Sequence, residues 1–159
     1  MNMTREERLN FWDRYFRGAY VKRLDICGAV MERDAQENTN ASWEVDHIFP
    51  EAKLQLIGVA QEKIDHPLNL QPLNASNNSA KGDDYPIFNV CVTSNGVRNW
   101  AINDKTHVID KIKIKQLNNL YGSEMITFMR ACINKSNISD EEKDAFKSII
   151  DAVIIANME

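Results

Sequence analysis

No apolar run in the 159-residue chain approaches the roughly 20 residues that a bilayer-spanning helix needs, and its first ten, MNMTREERLN, are charged where a signal peptide is apolar. A cytoplasmic protein with no membrane partner is therefore expected. Cysteine is scarce: Cys27, Cys91 and Cys132 are odd in number, far apart and set among apolar neighbours. That excludes a disulfide framework and a CxxC zinc knuckle, and the three read as buried free thiols. There is no Gly/Ser linker, internal repeat or low-complexity stretch, so residues 1–159 read as a single domain. Positive charge is not in excess either. The 19 Lys and Arg face 23 Asp and Glu, a formal net charge of -4, unusual for a protein that must approach phosphates unaided.

What basic charge there is lies in clusters. Arg5, Arg8, Arg14, Arg17, Lys22 and Arg23 crowd the first two dozen positions, and Lys111, Lys113 and Lys115 form a second group. Both a phosphate-binding footprint and ordinary solvated helix faces fit that pattern. Thr4 and Glu7 have capping-box spacing, which predicts a helix over about 4–17 with Leu9, Trp12, Tyr15 and Phe16 on its apolar face and Gly18 at its end. Leu24 to Arg33 reads as one strand and Trp43 to His47 as another, broken by Pro50. A brief helix over 51–59, a polar stretch to Pro67, a return strand at 70–73 and a helix capped by Asn74 or Ser76 and stopped by Gly82 follow.

Ser94-Asn95-Gly96 predicts a hairpin turn between strands at 87–92 and 97–102. The region 106–158 reads as helical, although Lys111 to Lys115 alternates like an exposed strand. Ser123 should start a new helix with Met125, Ile126, Met129 and Ile133 inward, and Ser139 with Glu142 a last one with Phe146, Ile149, Ile150, Val153 and Ile154 inward. That last face suits burial in the chain's own core better than in a partner subunit. The whole is of α+β class.

The chemistry concentrates between Trp43 and Gly82. Phosphodiester hydrolysis needs an activated water, a cation to take up charge, and a scaffold that holds both in line. Adjacent strand residues point to opposite sides, so Asp46 can hold a metal while His47 faces an attacking water. Asn78, on the following helix, can add a second oxygen ligand, and hard oxygen donors favour Mg2+ or Mn2+ over zinc. Asn69 is placed to fix the imidazole through a hydrogen bond to the backbone beside His47. Lys81 lies one turn beyond Asn78 and suits a phosphate oxygen, as do Arg8 and Arg14 of the first helix. A lone Asp-His pair is weak evidence, and Asp65-His66 reads as loop. His107 reads as structural or exposed, and Trp100 reads as a core residue more readily than as a base-stacking one.

The runs WEVDHIFP, NLQPL and NNSAKGD together resemble the HNH nucleases of the ββα-metal superfamily, in the His-Asn-Asn form known from the RNA-guided CRISPR effector nuclease. The resemblance implies a ββα-metal finger, core motif 43–82, embedded in a small mixed domain with N- and C-terminal helices and an extra β-hairpin. It implies His47 as general base, Asp46 and Asn78 as ligands of one divalent metal, and Asn69 as the central orienting residue. Double-stranded DNA is the implied substrate, nicked by a monomer or cut on both strands by a homodimer, in a bacterial or phage-infected cell. Two features depart from the family. Asn74 and Asn77 stand where many members carry zinc-binding cysteines, so no structural zinc is expected, and the connection from His47 to Asn69 is longer than usual. The competing expectation, motivated by the acidic balance, is a catalytically weak module that binds nucleic acid or protein on the same scaffold.

Overall fold

The Thr4 hydroxyl accepts a hydrogen bond from the Glu7 amide at 3.1 Å and starts helix α1 (Arg5–Phe16). α1 opens the chain in the computed structural model, which describes residues 1–159 and contains six α-helices and three two-stranded sheets. The span that reads as a single domain gathers into two compact units. The first comprises Met1–Asp46, Gln71–Gly82 and Phe88–His107, the second His47–Leu70, Asp83–Ile87 and Val108–Glu159. No helix is long and apolar enough to cross a membrane.

In the first unit α1 ends one residue before the expected Gly18, at Arg17, whose φ of 57° is left-handed. Its buried residues are Phe11 and Trp12, while Tyr15 is exposed. Trp12 is fixed by a hydrogen bond from Nε1 to the Tyr20 carbonyl and by its ring lying 5.0 Å from that of Trp43. The single strand expected over Leu24 to Arg33 is instead an antiparallel pair, β1 (Lys22–Leu24) and β2 (Val30–Glu32). Asp25 causes the reversal: its Oδ1 accepts from the Cys27 and Ala29 amides at 2.9 and 2.8 Å, and Gly28 supplies the φ of 84° that the turn needs.

Strand β3 (Trp43–His47) pairs with β4 (Leu70–Asn74), and β4 runs directly into helix α4 (Ala75–Lys81). Of the two candidate caps Asn74 serves, accepting from the amides of Ser76 and Asn77. The hairpin of β5 (Ile87–Ser94) and β6 (Asn99–Val108) is longer than predicted, and Trp100 stays 44 % exposed on it rather than joining the core. Cys27 and Cys91 are half-buried rather than buried.

A buried polar network holds these pieces. Asp25 Oδ2 accepts from the Asn74 amide and from Asn77 Nδ2, both at 3.1 Å. Asn77 Oδ1 accepts from the Cys91 and Val92 amides, and Asn99 exchanges hydrogen bonds with the Val30 backbone in both directions. Each buried polar atom so paired avoids a desolvation cost of about 1–3 kcal/mol. Asn74 and Asn77 are thus hydrogen-bonding hubs.

The second unit is mainly helical. The polar stretch after α2 (Glu51–Leu56) forms α3 (Gln61–Ile64) followed by a 3-10 turn at Pro67–Asn69. Asp110 caps α5 (Lys111–Ile133), a single helix that passes through Gly122 and Ser123, where a new start was expected. The interior glycine costs about 1 kcal/mol, which burial of Tyr121, Met125 and Phe128 on either side offsets. The inward face carries Phe128 and Cys132, leaving Ile126 and Ile133 exposed. α6 (Asp140–Ala156) starts at the Ser139–Glu142 capping box and packs on α5. Its buried stripe is Ala145, Ser148, Ile149, Ala152 and Ala156, so Val153 and Ile154 point outward. Small residues on that stripe let the helices approach closely, which the positions of large apolar residues alone do not reveal.

Candidate active site

Asp46 and His47 close β3, and the alternation of a strand sends their side chains to different surroundings. The Asp46 carboxylate is 6 % exposed. Its Oδ2 accepts from Gln71 Nε2 at 2.9 Å, and its Oδ1 lies 3.3 Å from Lys81 Nζ. Lys81 is itself 1 % exposed, with its ammonium 5.8 Å from the centre of the Phe88 ring. The lysine expected on a phosphate oxygen is therefore inside the unit, compensating a carboxylate that burial would otherwise penalise.

Asn78 lies on α4, half-buried, and lines a cleft of about 880 Å³ with Arg5, Arg8, Ser42, Trp43 and Glu44. Asp46 is not among the residues lining it. Arg8 is anchored there, its guanidinium donating to the Trp43 carbonyl and lying 4.6 Å over the Trp43 ring. Arg14 is exposed on α1 and takes no part in the cleft lining. As a donor set Asp46 and Asn78 are two oxygens, the chemistry that Mg2+ and Mn2+ take. An ion on this pair would need the carboxylate to share or exchange its ammonium partner.

Asn69 is wholly buried in the second unit, in the turn that leads into β4. Its Oδ1 accepts from the Phe49 amide at 2.7 Å, and its Nδ2 donates to the carbonyls of Phe49 and Ile64, both at 3.1 Å. Its own carbonyl accepts from the Ile48 amide at 2.8 Å. One carboxamide thereby ties the residues just after His47 to the end of α3.

His47 is 9 % exposed, and its Nε2 lies 2.7 Å from Asp65 Oδ1. Asp65 thus belongs beside the imidazole and not to an uninvolved loop. Behind it Gln61 Nε2 touches both Asp65 oxygens at 3.2 Å and Glu51 Oε2 at 2.7 Å. The side-chain ligand atoms of His47, Glu51 and Asp65 lie within 4.8 Å of one another, an arrangement that could also hold a metal ion. Sequence reasoning missed Asp65, Glu51, Gln61 and Gln71. The one signal for the first three was the unusual length of the connection between His47 and Asn69, which builds α2 and α3 and so brings side chains to the histidine.

Among the remaining candidates, His107 packs 5.4 Å from the Phe88 ring, and burial holds its pKa below the usual histidine value. The Cys27 thiol is pushed up to about 12, first by burial and then by the neighbouring Asp25 carboxylate, which makes it a poor nucleophile. Comparison of the chain with protein-family models, curated proteins and solved structures returns no match.

Proposed function

We propose that the chain is a metal-dependent HNH endonuclease that hydrolyses DNA phosphodiester bonds, with His47 as general base and one Mg2+ or Mn2+ held by Asp46 and Asn78. One observation carries the reading. Asp46 and His47 end β3, Asn69 immediately precedes β4, and Asn78 lies on α4, the strand, strand and helix order that the sequence resemblance implies.

In this reading His47 takes a proton from the attacking water, and Asn69 fixes the backbone that follows the base. A bound divalent ion would neutralise charge on the phosphorane-like transition state and the leaving oxygen. Asp46 and Asn78 supply its protein ligands, and Lys81 balances the carboxylate. Arg5 and Arg8, in the cleft that Asn78 lines, are suited to contact the phosphates on either side of the bond. One base and one metal make one cut, so a monomer nicks and a homodimer is needed to cut both strands together.

A second reading is a catalytically weak module on the same scaffold. The engagement of Asp46 by Lys81 and Gln71 favours it, because both carboxylate oxygens already have partners. A plasmid-nicking assay in Mg2+ or Mn2+ separates the two. The wild type should nick, and His47→Ala should lose a factor of ~10²–10⁴ in rate while still binding metal. Equal nicking by both proteins would sink the assignment to His47, and DNA binding without any nicking by the wild type would establish the second reading.

A further inference from the structure

We propose that Asp65 is the positioning residue of the His47 base: it holds the imidazole as the Nε2–H tautomer, so that Nδ1 is the nitrogen that takes the proton from water. The inference rests on the reading of His47 as general base. A carboxylate only accepts, so the 2.7 Å approach of His47 Nε2 to Asp65 Oδ1 requires the ring to donate there. A neutral imidazole carries one N–H, which assigns the accepting role to Nδ1. Once Nδ1 is protonated, the positive ring faces the carboxylate, and charge created in the reaction is met by a partner already in place.

The surroundings are built to keep this pair together. Gln61 Nε2 lies 3.2 Å from both Asp65 oxygens and 2.7 Å from Glu51 Oε2, so one carboxamide braces the Asp65 carboxylate from behind. The Asp65 amide bonds back to the Gln61 carbonyl at 2.9 Å, which closes α3 on the same residue. Asn69 joins the Phe49 backbone, two residues past His47, to the Ile64 carbonyl, one residue before Asp65. A single buried carboxamide thus holds the two segments that carry the imidazole and the carboxylate. The bond is part-buried, with the His47 side chain 9 % and the Asp65 side chain 32 % exposed.

The test is long-range nitrogen NMR of the His47 side chain in the wild type, Asp65→Asn and Asp65→Glu, with plasmid nicking of each. The wild type should show Nε2–H. In Asp65→Asn the amide can donate to Nε2, so a large fraction should move to Nδ1–H. Its kcat should fall about 10–100-fold, with KM and Mn2+ affinity within about twofold of wild type. Asp65→Glu, which restores the carboxylate, should recover part of both signals. An unchanged tautomer in Asp65→Asn, or a rise in KM at constant kcat, would overturn the proposal. If Asp65→Asn does not fold, the wild-type spectrum decides, because an Nδ1–H ring contradicts the proposal outright. A wild type that shows the tautomer shift on substitution but never nicks DNA would overturn the nuclease reading and support the hold of Asp65 on the ring.

Discussion

The two units keep their shape by different means. In the first, a polar network is buried: one carboxylate, Asp25, accepts four hydrogen bonds from donors in the turn between β1 and β2, in β4 and in α4, and Asn77 and Asn99 extend the network to β5 and β2. In the second, α5 and α6 bury Ile114, Leu117, Tyr121, Met125 and Ile149 against one another and their neighbours. Its polar features are few and specific, such as Lys53 with Ser148 and Asp144, and the Asn69 clamp. Directional bonds fix the backbone register of β4 and α4, whereas apolar helix packing supplies non-directional stability to the second unit.

The difference can be broken by substitution. Leu117→Ala removes a fully buried side chain in the second unit and should cost about 2–5 kcal/mol, read from helical circular dichroism in urea, because the helices close the cavity only in part. Asp25→Asn keeps the shape in the first unit but replaces an acceptor with a donor facing the Asn74 amide and the Asn77 carboxamide. It should cost about 1.5–3 kcal/mol, and tryptophan fluorescence reads it directly, since Trp12, Trp43 and Trp100 all lie in that unit. A loss under about 0.5 kcal/mol would show that the polar network is not what holds the first unit.

A smaller effect separates the units by pH. Arg33 donates to Asp13 at 2.7 and 2.9 Å and holds its carboxyl below the usual carboxylate range. A carboxyl depressed in the folded state contributes stability above its unfolded value of about 3.9 and loses it as pH falls through the folded value. Asp13→Asn should therefore lower the fluorescence-detected melting temperature at pH 7, and the gap from wild type should close toward pH 2. A gap constant across that range would exclude the ion pair as its cause.

How much of this could be read beforehand depended on how local each cause was. Asn74 capping α4, the capping box of α6 and the turn at Asn95-Gly96 are set within four residues, and the sequence displays them. The unbroken α5 was not legible, because Gly122 and Ser123 look like a break until the buried neighbours outweigh them. Likewise Val153 and Ile154 keep helical spacing yet lie outside, since the small residues Ala145, Ala152 and Ala156 mark the true contact stripe. At the site, Asp46, His47, Asn69 and Asn78 stand out as a motif, whereas Gln71 and Asp65 reach their partners from 25 and 18 residues away. Nothing local marks such pairs.

In the proposed reading metal binding lies in the first unit and base positioning in the second, and Mn2+ titration tests that division most directly. Calorimetry on the wild type, Asp46→Asn and Glu51→Gln should show one site, weakened about tenfold or more by Asp46→Asn and nearly unchanged by Glu51→Gln. Loss of binding in Glu51→Gln with full binding in Asp46→Asn would place the ion on His47, Glu51 and Asp65 instead, and would contradict the account.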